Sequence, residues 1–207
     1  MTQEISTTPD VGTTAEIGNF STLGLHPSVL AAITAVGYEE PSPIQTKSIP
    51  LIMAGHDMIG QAQTGTGKTA AFALPILSRI DAARREAQVL VLAPTRELAL
   101  QVATAFESFA AQMSSVNVVA IYGGAPMGPQ LKAIRNGAQV IVATPGRLVD
   151  HLSRNGGLLS TIKFLVLDEA DEMLKLGFMD DLEVIFNAMP DERQTVLFSA
   201  TLPASIR

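Results

Sequence analysis

Two short stretches carry residue types suited to chemistry on a phosphate ester: Ala62-Gln63-Thr64-Gly65-Thr66-Gly67-Lys68-Thr69 and, far downstream, Asp168-Glu169. In the first, glycines and small polar residues leave backbone N–H groups unhindered at the positive end of a helix, where an anion is welcome. Lys68 is placed to reach β and γ phosphate oxygens, and the Thr69 hydroxyl to ligate Mg²⁺. The apolar lead-in Asp57-Met58-Ile59-Gly60-Gln61 reads as a strand and Ala70-Ala71-Phe72-Ala73-Leu74 as a helix start. Ala62 stands where the usual pattern has glycine. A plain glycine-rich turn would make Lys68 a surface charge; strand before and helix after favour a loop for a nucleoside triphosphate.

Asp168-Glu169 closes an apolar run, Phe164-Leu165-Val166-Leu167. Asp168 is expected to hold Mg²⁺ through water, and Glu169 to orient and deprotonate an attacking water. The same pair could be the acidic start of a helix, favoured there by the dipole. The phosphate loop tips the balance toward chemistry. Asp171 is expected to accept hydrogen bonds from a neighbouring loop.

These residues need a scaffold, and the rest of the chain supplies one. Val89-Leu90-Val91-Leu92, Val118-Val119-Ala120-Ile121, Val140-Ile141-Val142-Ala143 and Val196-Leu197-Phe198 read as further strands. Helical patterns separate them: Leu98, Val102, Phe106 and Phe109 share one face, and others lie near 130–135, 147–152 and 180–189. Strict alternation implies an α/β fold, a parallel doubly wound sheet with helices on both faces. Ligands of such sheets sit beyond the carboxyl ends of the strands. At that edge fall Pro94-Thr95-Arg96, Tyr122-Gly123-Gly124, Thr144-Pro145-Gly146-Arg147, Asp168-Glu169-Ala170-Asp171 and Ser199-Ala200-Thr201. Upstream, residues 19–50 form a helical preface, with one helix from Pro27-Ser28 toward Gly37 and another started by Pro41-Ser42-Pro43.

At 207 residues, 47% apolar, the chain suits one domain plus a tail. Residues 1–18, Thr-rich and acidic without a base, are expected to be disordered. The net charge of −6 argues against a broad electrostatic grip on nucleic acid, so any contact must come from a few placed arginines and backbone amides. There is no cysteine, no signal peptide and no apolar run of about 18 residues. A cytoplasmic location without membrane contact is therefore expected. His26, His56 and His151 lack ligand spacing and are expected at the surface; the methionines read as core filler.

Asp168-Glu169-Ala170-Asp171 resembles the tetrapeptide of the DEAD-box RNA helicases, and other motifs of that family's first RecA-like domain stand in order. Gly37-Tyr38, Pro41 and Ile44-Gln45 resemble the adenine-recognising Q motif, with Phe20 as its upstream aromatic. Residues 62–69 are similar to the family's own phosphate loop, Ala62 included. Residues 94–99 (PTRELA), Gly123-Gly124 and 144–147 (TPGR) resemble its RNA-facing motifs, and 199–201 (SAT) the motif coupling hydrolysis to unwinding. The wording GYEEPSPIQ, NVVAIYGG and ADEMLKLGFMDDLE is most similar to bacterial cold-shock and ribosome-assembly members.

The resemblance implies a RecA-like ATP-binding domain over 51–207 behind a Q-motif region over 19–50, using ATP and Mg²⁺. Gln45 would pair with adenine while Phe20 or Tyr38 stacks on it. Pro94, Thr95, Arg96, Gly123, Gly124, Thr144, Pro145, Gly146 and Arg147 would face an RNA backbone, single-stranded or duplex, without reading bases. Ser199 or Thr201 would donate to Asp171. Residue by residue, blander roles stay open: packing for Phe20 and Tyr38, a helix-surface amide for Gln45, a Thr95-capped helix start for PTRELA, a tight turn for TPGR, a polar strand end for SAT. The implied partners are RNA, the second RecA-like domain, absent from this chain, and ribosome-assembly or RNA-decay proteins. The expected activity is ATP-dependent RNA unwinding by the longer protein, with this part alone scarcely hydrolysing ATP. The alternatives are an ATP-dependent RNA clamp or docking module, and another P-loop nucleic-acid translocase.

Overall fold

Unbroken Val/Ile/Leu runs call for a sheet buried on both faces, and the chain builds one. A computed structural model describes the backbone of residues 3–6 and, in full, residues 18–63 and 65–201. Seven parallel strands form one sheet in the order β1-β2-β7-β6-β3-β5-β4. They are β1 (Gln3–Ser6), β2 (Met58–Gln61), β3 (Val89–Leu92), β4 (Val118–Ile121), β5 (Val140–Ala143), β6 (Phe164–Leu167) and β7 (Gln194–Ser199). The six strands expected from the sequence are all present. β1 is additional: within the segment 1–18 expected to be disordered, Gln3–Ser6 pairs with β2, Ser6 opposite Gln61.

The register brings the strand ends together. Leu92 lies opposite Ala143 and Leu167, Leu167 opposite Leu197, and Gln61 opposite Ser199. The loops that follow these residues therefore emerge along a common edge.

Side chains sort by strand parity. Val89, Val91, Val140, Val142 and Val166 join one hydrophobic cluster, which holds Phe72, Phe106 and Phe198. Leu90, Leu92, Ile141, Leu165 and Leu167 join the other, with Met173 and Ile185. The first is covered by α1 (Pro27–Ala35), α2 (Pro43–Met53), α3 (Lys68–Arg79) and α4 (Arg96–Phe109). α6 (Pro145–Leu152), α7 (Ala170–Lys175) and α8 (Met179–Asn187) cover the second, and α5 (Met127–Arg135) packs beside β4.

α2 differs from expectation in running past Pro50 to Met53. Proline lacks only the N–H bond to Thr46 here, and Gly55, at φ 87°, ends the turn instead. The division between 50 and 51 thus falls inside a helix. Phe20, Val29, Ile33 and Ile44 belong to the same cluster as the sheet valines.

Candidate nucleotide site and adjoining edge

β2 ends at Gln61, and the next residue, Ala62, is buried with its N–H donated to Ser199 O at 3.1 Å. Ala62 therefore anchors the loop to β7 with its amide already engaged, while lining the cavity beside Lys68. Gln63, Gly65 and Thr66 are exposed; Thr64 lies outside the described residues. Gly67 caps α3 in the left-handed region, φ 86°. A Cβ there would sit 2.5 Å from Gln45 Nε2, the tip of a flexible side chain, so it is the left-handed backbone that demands glycine. Lys68 opens the helix and Thr69 is half-buried one residue on.

Lys68 is 5% exposed, and its ammonium lies 2.9 Å from Asp168 Oδ1 and 3.1 Å from Glu169 Oε1. Asp168 follows β6 directly, its N–H donated to Leu92 O. Glu169 takes φ 55°, ψ 51°, a strained conformation for a residue with a side chain. Burial disfavours the Lys68 ammonium, but the Asp168 and Glu169 carboxylates outweigh it and hold its pKa above the ordinary value. Burial pushes the Asp168 carboxyl up, with Lys68 opposing. A fully buried carboxylate with one cation partner, and with Oδ2 lacking any hydrogen-bond partner among the described residues, suits a second positive charge. No cluster of three His, Cys, Asp or Glu among the described residues could hold a metal by itself. A Mg²⁺ ion would need only one or two protein ligands, completing its shell with phosphate and water. A cavity of about 240 Å³ lined by Ala62, Lys68, Glu169, Asp171, Glu172 and Ala200 opens beside this trio.

Thr201 ties the next turn to the same place. Its Oγ1 and N–H both donate to Asp171 Oδ2, at 2.9 and 3.2 Å. Ser199 Oγ accepts from the Asp171 N–H and donates to Thr201 O. Burial alone would raise the Asp171 carboxyl, but the Thr201 hydroxyl and the backbone N–H groups of Ala200 and Thr201 lower it below its ordinary value.

The expected adenine residues are placed differently. Gln45 is buried; its Oε1 accepts from Ser42 N–H at 2.8 Å and its Nε2 donates to Gly67 O at 3.1 Å. Ser42 Oγ donates to Thr66 O at 3.0 Å. One end of the amide thus caps the first turn of α2 and the other braces the phosphate loop, so neither faces solvent. Ser42 was not expected here, although Ser before a Pro-initiated helix with Gln three residues on is a capping signature. Phe20 is 3% exposed and meets Tyr38 edge-on at 5.9 Å, and Tyr38 meets Phe109 at 5.7 Å. Phe20 is a core ring in this structure, not one open to a base.

Along the edge, Arg96 is exposed and lies over the Tyr122 ring, 4.8 Å from its centroid. Gly123 and Gly124 are exposed, and Gly124 is left-handed at φ 80°. Arg147 is mostly covered, with Nη1 donating to Ala125 O at 2.8 Å. Thr95 caps α4 by accepting from Leu98 N–H, and Thr144 is the N-cap position of α6. Gly146 is half-buried. Pro94 and Pro145 are buried, so each shapes its turn and neither presents surface to a ligand. His26 and His56 are exposed as expected; His151 is fully buried, because α5 brings Gln130 over it.

A model of the DEAD/DEAH box helicase family matches residues 42–207. The chain is 55% identical over 199 residues to the ATP-dependent RNA helicase DeaD of Mycobacterium tuberculosis strain H37Rv, covering 96% of this chain and 35% of that protein. It is 54% identical over 188 residues to DeaD of Escherichia coli K12, covering 91% and 30%. It thus spans about a third of the length of these curated relatives. The crystal structure of a DEAD box protein from the hyperthermophile Methanococcus jannaschii superposes with a TM-score of 0.85 at 42% identity, over 91% of this chain and 51% of that one.

Proposed function

Because the chain belongs to the DEAD/DEAH box helicase family, we propose that it is the ATP- and RNA-binding half of an ATP-dependent RNA helicase, acting with a second RecA-like domain. The observation that carries the reading is Lys68 held between Asp168 and Glu169 at the open edge of the sheet. ATP would lay its phosphates on residues 63–69, where Lys68 exchanges carboxylate for phosphate oxygens. Asp168 and Thr69 would hold Mg²⁺, which supplies charge neutralisation at the phosphates. Glu169 would then be released to orient water and take its proton on Oε1. Gln45 would reach adenine by turning from Gly67, and Tyr38 offers its partly exposed ring.

RNA would run along Arg96, Gly123, Gly124, Thr144, Gly146 and Arg147 through backbone contacts, with Thr95 shaping the turn. The Asp171–Ser199–Thr201 knot would couple the two ligands. Ribosome-assembly or RNA-decay proteins would be further partners, and the cytoplasm the site of action; among the described residues no helix is long and apolar enough to cross a membrane. The test is ATPase activity with and without RNA, on this chain and on a version carrying the second domain. The reading expects RNA-stimulated turnover only in the longer protein, abolished by Glu169→Gln with ATP-dependent RNA binding kept. An ATP-dependent clamp would be indifferent to that substitution, and equal stimulation by DNA would indicate another translocase.

A further inference from the structure

Behind the exposed Gly123-Gly124 turn lies a buried polar relay that no phosphate or metal chemistry uses. His151 on α6 is fully buried, and its Nε2 lies 3.0 Å from Gln130 Oε1 on α5. Gln130, itself buried, donates from Nε2 to Tyr122 O at 3.1 Å. That second bond sets the amide's orientation: with its NH₂ end on a carbonyl, Gln130 turns an acceptor toward the imidazole. His151 must therefore carry its proton on Nε2. Its Nδ1 is buried without a hydrogen-bond partner among the described residues, and burial, reinforced by Arg147, lowers the ring's pKa, so one neutral tautomer is held.

We propose that His151 and Gln130 are positioning residues for the RNA-facing turn at 122–125, holding the Tyr122 carbonyl so that Gly123 and Gly124 present their amides beside Arg96 and Arg147. Three independent ties converge on these four residues. Gln130 takes the Tyr122 carbonyl, Arg147 takes the Ala125 carbonyl, and Arg96 lies over the Tyr122 ring. The two arginines come from separate strand ends, and the relay fixes the Tyr122 carbonyl from behind. The turn has two consecutive glycines, one left-handed, and has little stiffness of its own. An unbraced turn would have to be ordered by the ligand, at the expense of affinity. The inference rests on the RNA-facing reading of this edge.

Nitrogen-15 NMR titration of the chain with a short oligouridine, following amides 123, 124 and 146, tests it. His151→Leu and Gln130→Met should each weaken oligouridine binding about tenfold. The double variant should be no weaker than either single one, since both cut the same relay. His151→Gln, which keeps a donor near the Nε2 position, should retain most of the affinity. Mg·ADP binding, followed at amides 65 and 67, should be unchanged in all of them. Unchanged oligouridine affinity in the folded single variants, or additive losses in the double one, would overturn the relay. Should His151→Leu not fold, Gln130→Met decides alone. Wild-type chain that binds Mg·ADP but shows no shift at 123, 124 and 146 with oligouridine would overturn the RNA reading, and the relay with it.

Discussion

At the scale of single residues, the site is governed by one buried ammonium and the carboxylates around it. Lys68→Met should remove nucleotide binding, read as loss of Mg·ADP heat by calorimetry. It should also cost about 3–5 kcal/mol near neutral pH, since it strands Asp168 in the interior. The pH dependence has a definite sign. A carboxyl raised in the folded state favours folding only while protonated, so the variant's deficit should narrow as pH falls toward the ordinary Asp value of 3.8 and widen as pH rises. Urea titrations across that range check it. Asp171 is the opposite case, its carboxyl held low by the Thr201 hydroxyl and neighbouring backbone N–H groups. Its stabilisation is complete above 3.8 and is lost as pH falls through the folded value. The stability gap between wild type and Thr201→Val should accordingly be constant at neutral pH and close only below 3.8. Glu169 differs again, because its left-handed backbone is part of how its carboxylate is aimed.

At the scale of elements, the junction of β2 with α3 is the tightest fit. A Cβ on Gly60 would lie 2.5 Å from the Phe198 ring, which is itself packed on Phe72. Gly60→Ala should therefore destabilise the fold by about 1–3 kcal/mol. Phe198→Leu in the same chain should return part of the loss, as measured by thermal or denaturant midpoints. The strands were legible in the sequence because a sheet covered on both faces leaves no room for polar interruption. The meeting of Lys68 with Asp168 and Glu169 was legible too, since parallel strands deliver their carboxyl ends to one edge. Pro50 concealed the length of α2, because a proline that loses only one hydrogen bond looks the same in sequence as one that ends a helix. Phe20 and His151 were misplaced for a different reason. Their burial is created by Tyr38, Phe109 and Gln130, partners distant in sequence and announced by no spacing. β1 is short, polar at both ends and at the sheet edge, so it carries no pattern.

At the scale of the whole molecule, an acidic chain that holds RNA as proposed would do so with few cations. Single-strand binding loses about 0.7 in log–log salt slope per phosphate neutralised. Two arginines therefore imply a slope near about −1.4, and Arg96→Ala should flatten it by about 0.7. Fluorescence anisotropy with oligouridine over a salt series reads this directly; a much steeper slope would require contacts beyond Arg96 and Arg147. The strand order holds a second consequence. β2, which leads into the phosphate loop, pairs among the described residues with β1 and with β7, and β7 follows the other described strands in sequence. During synthesis, then, the β1–β2 pair meets the rest of the sheet through helix packing until β7 is made and closes the gap. A nascent chain stopped before Gln194 should be more open to proteases and unable to recognise nucleotide, so that competence appears when translation passes β7.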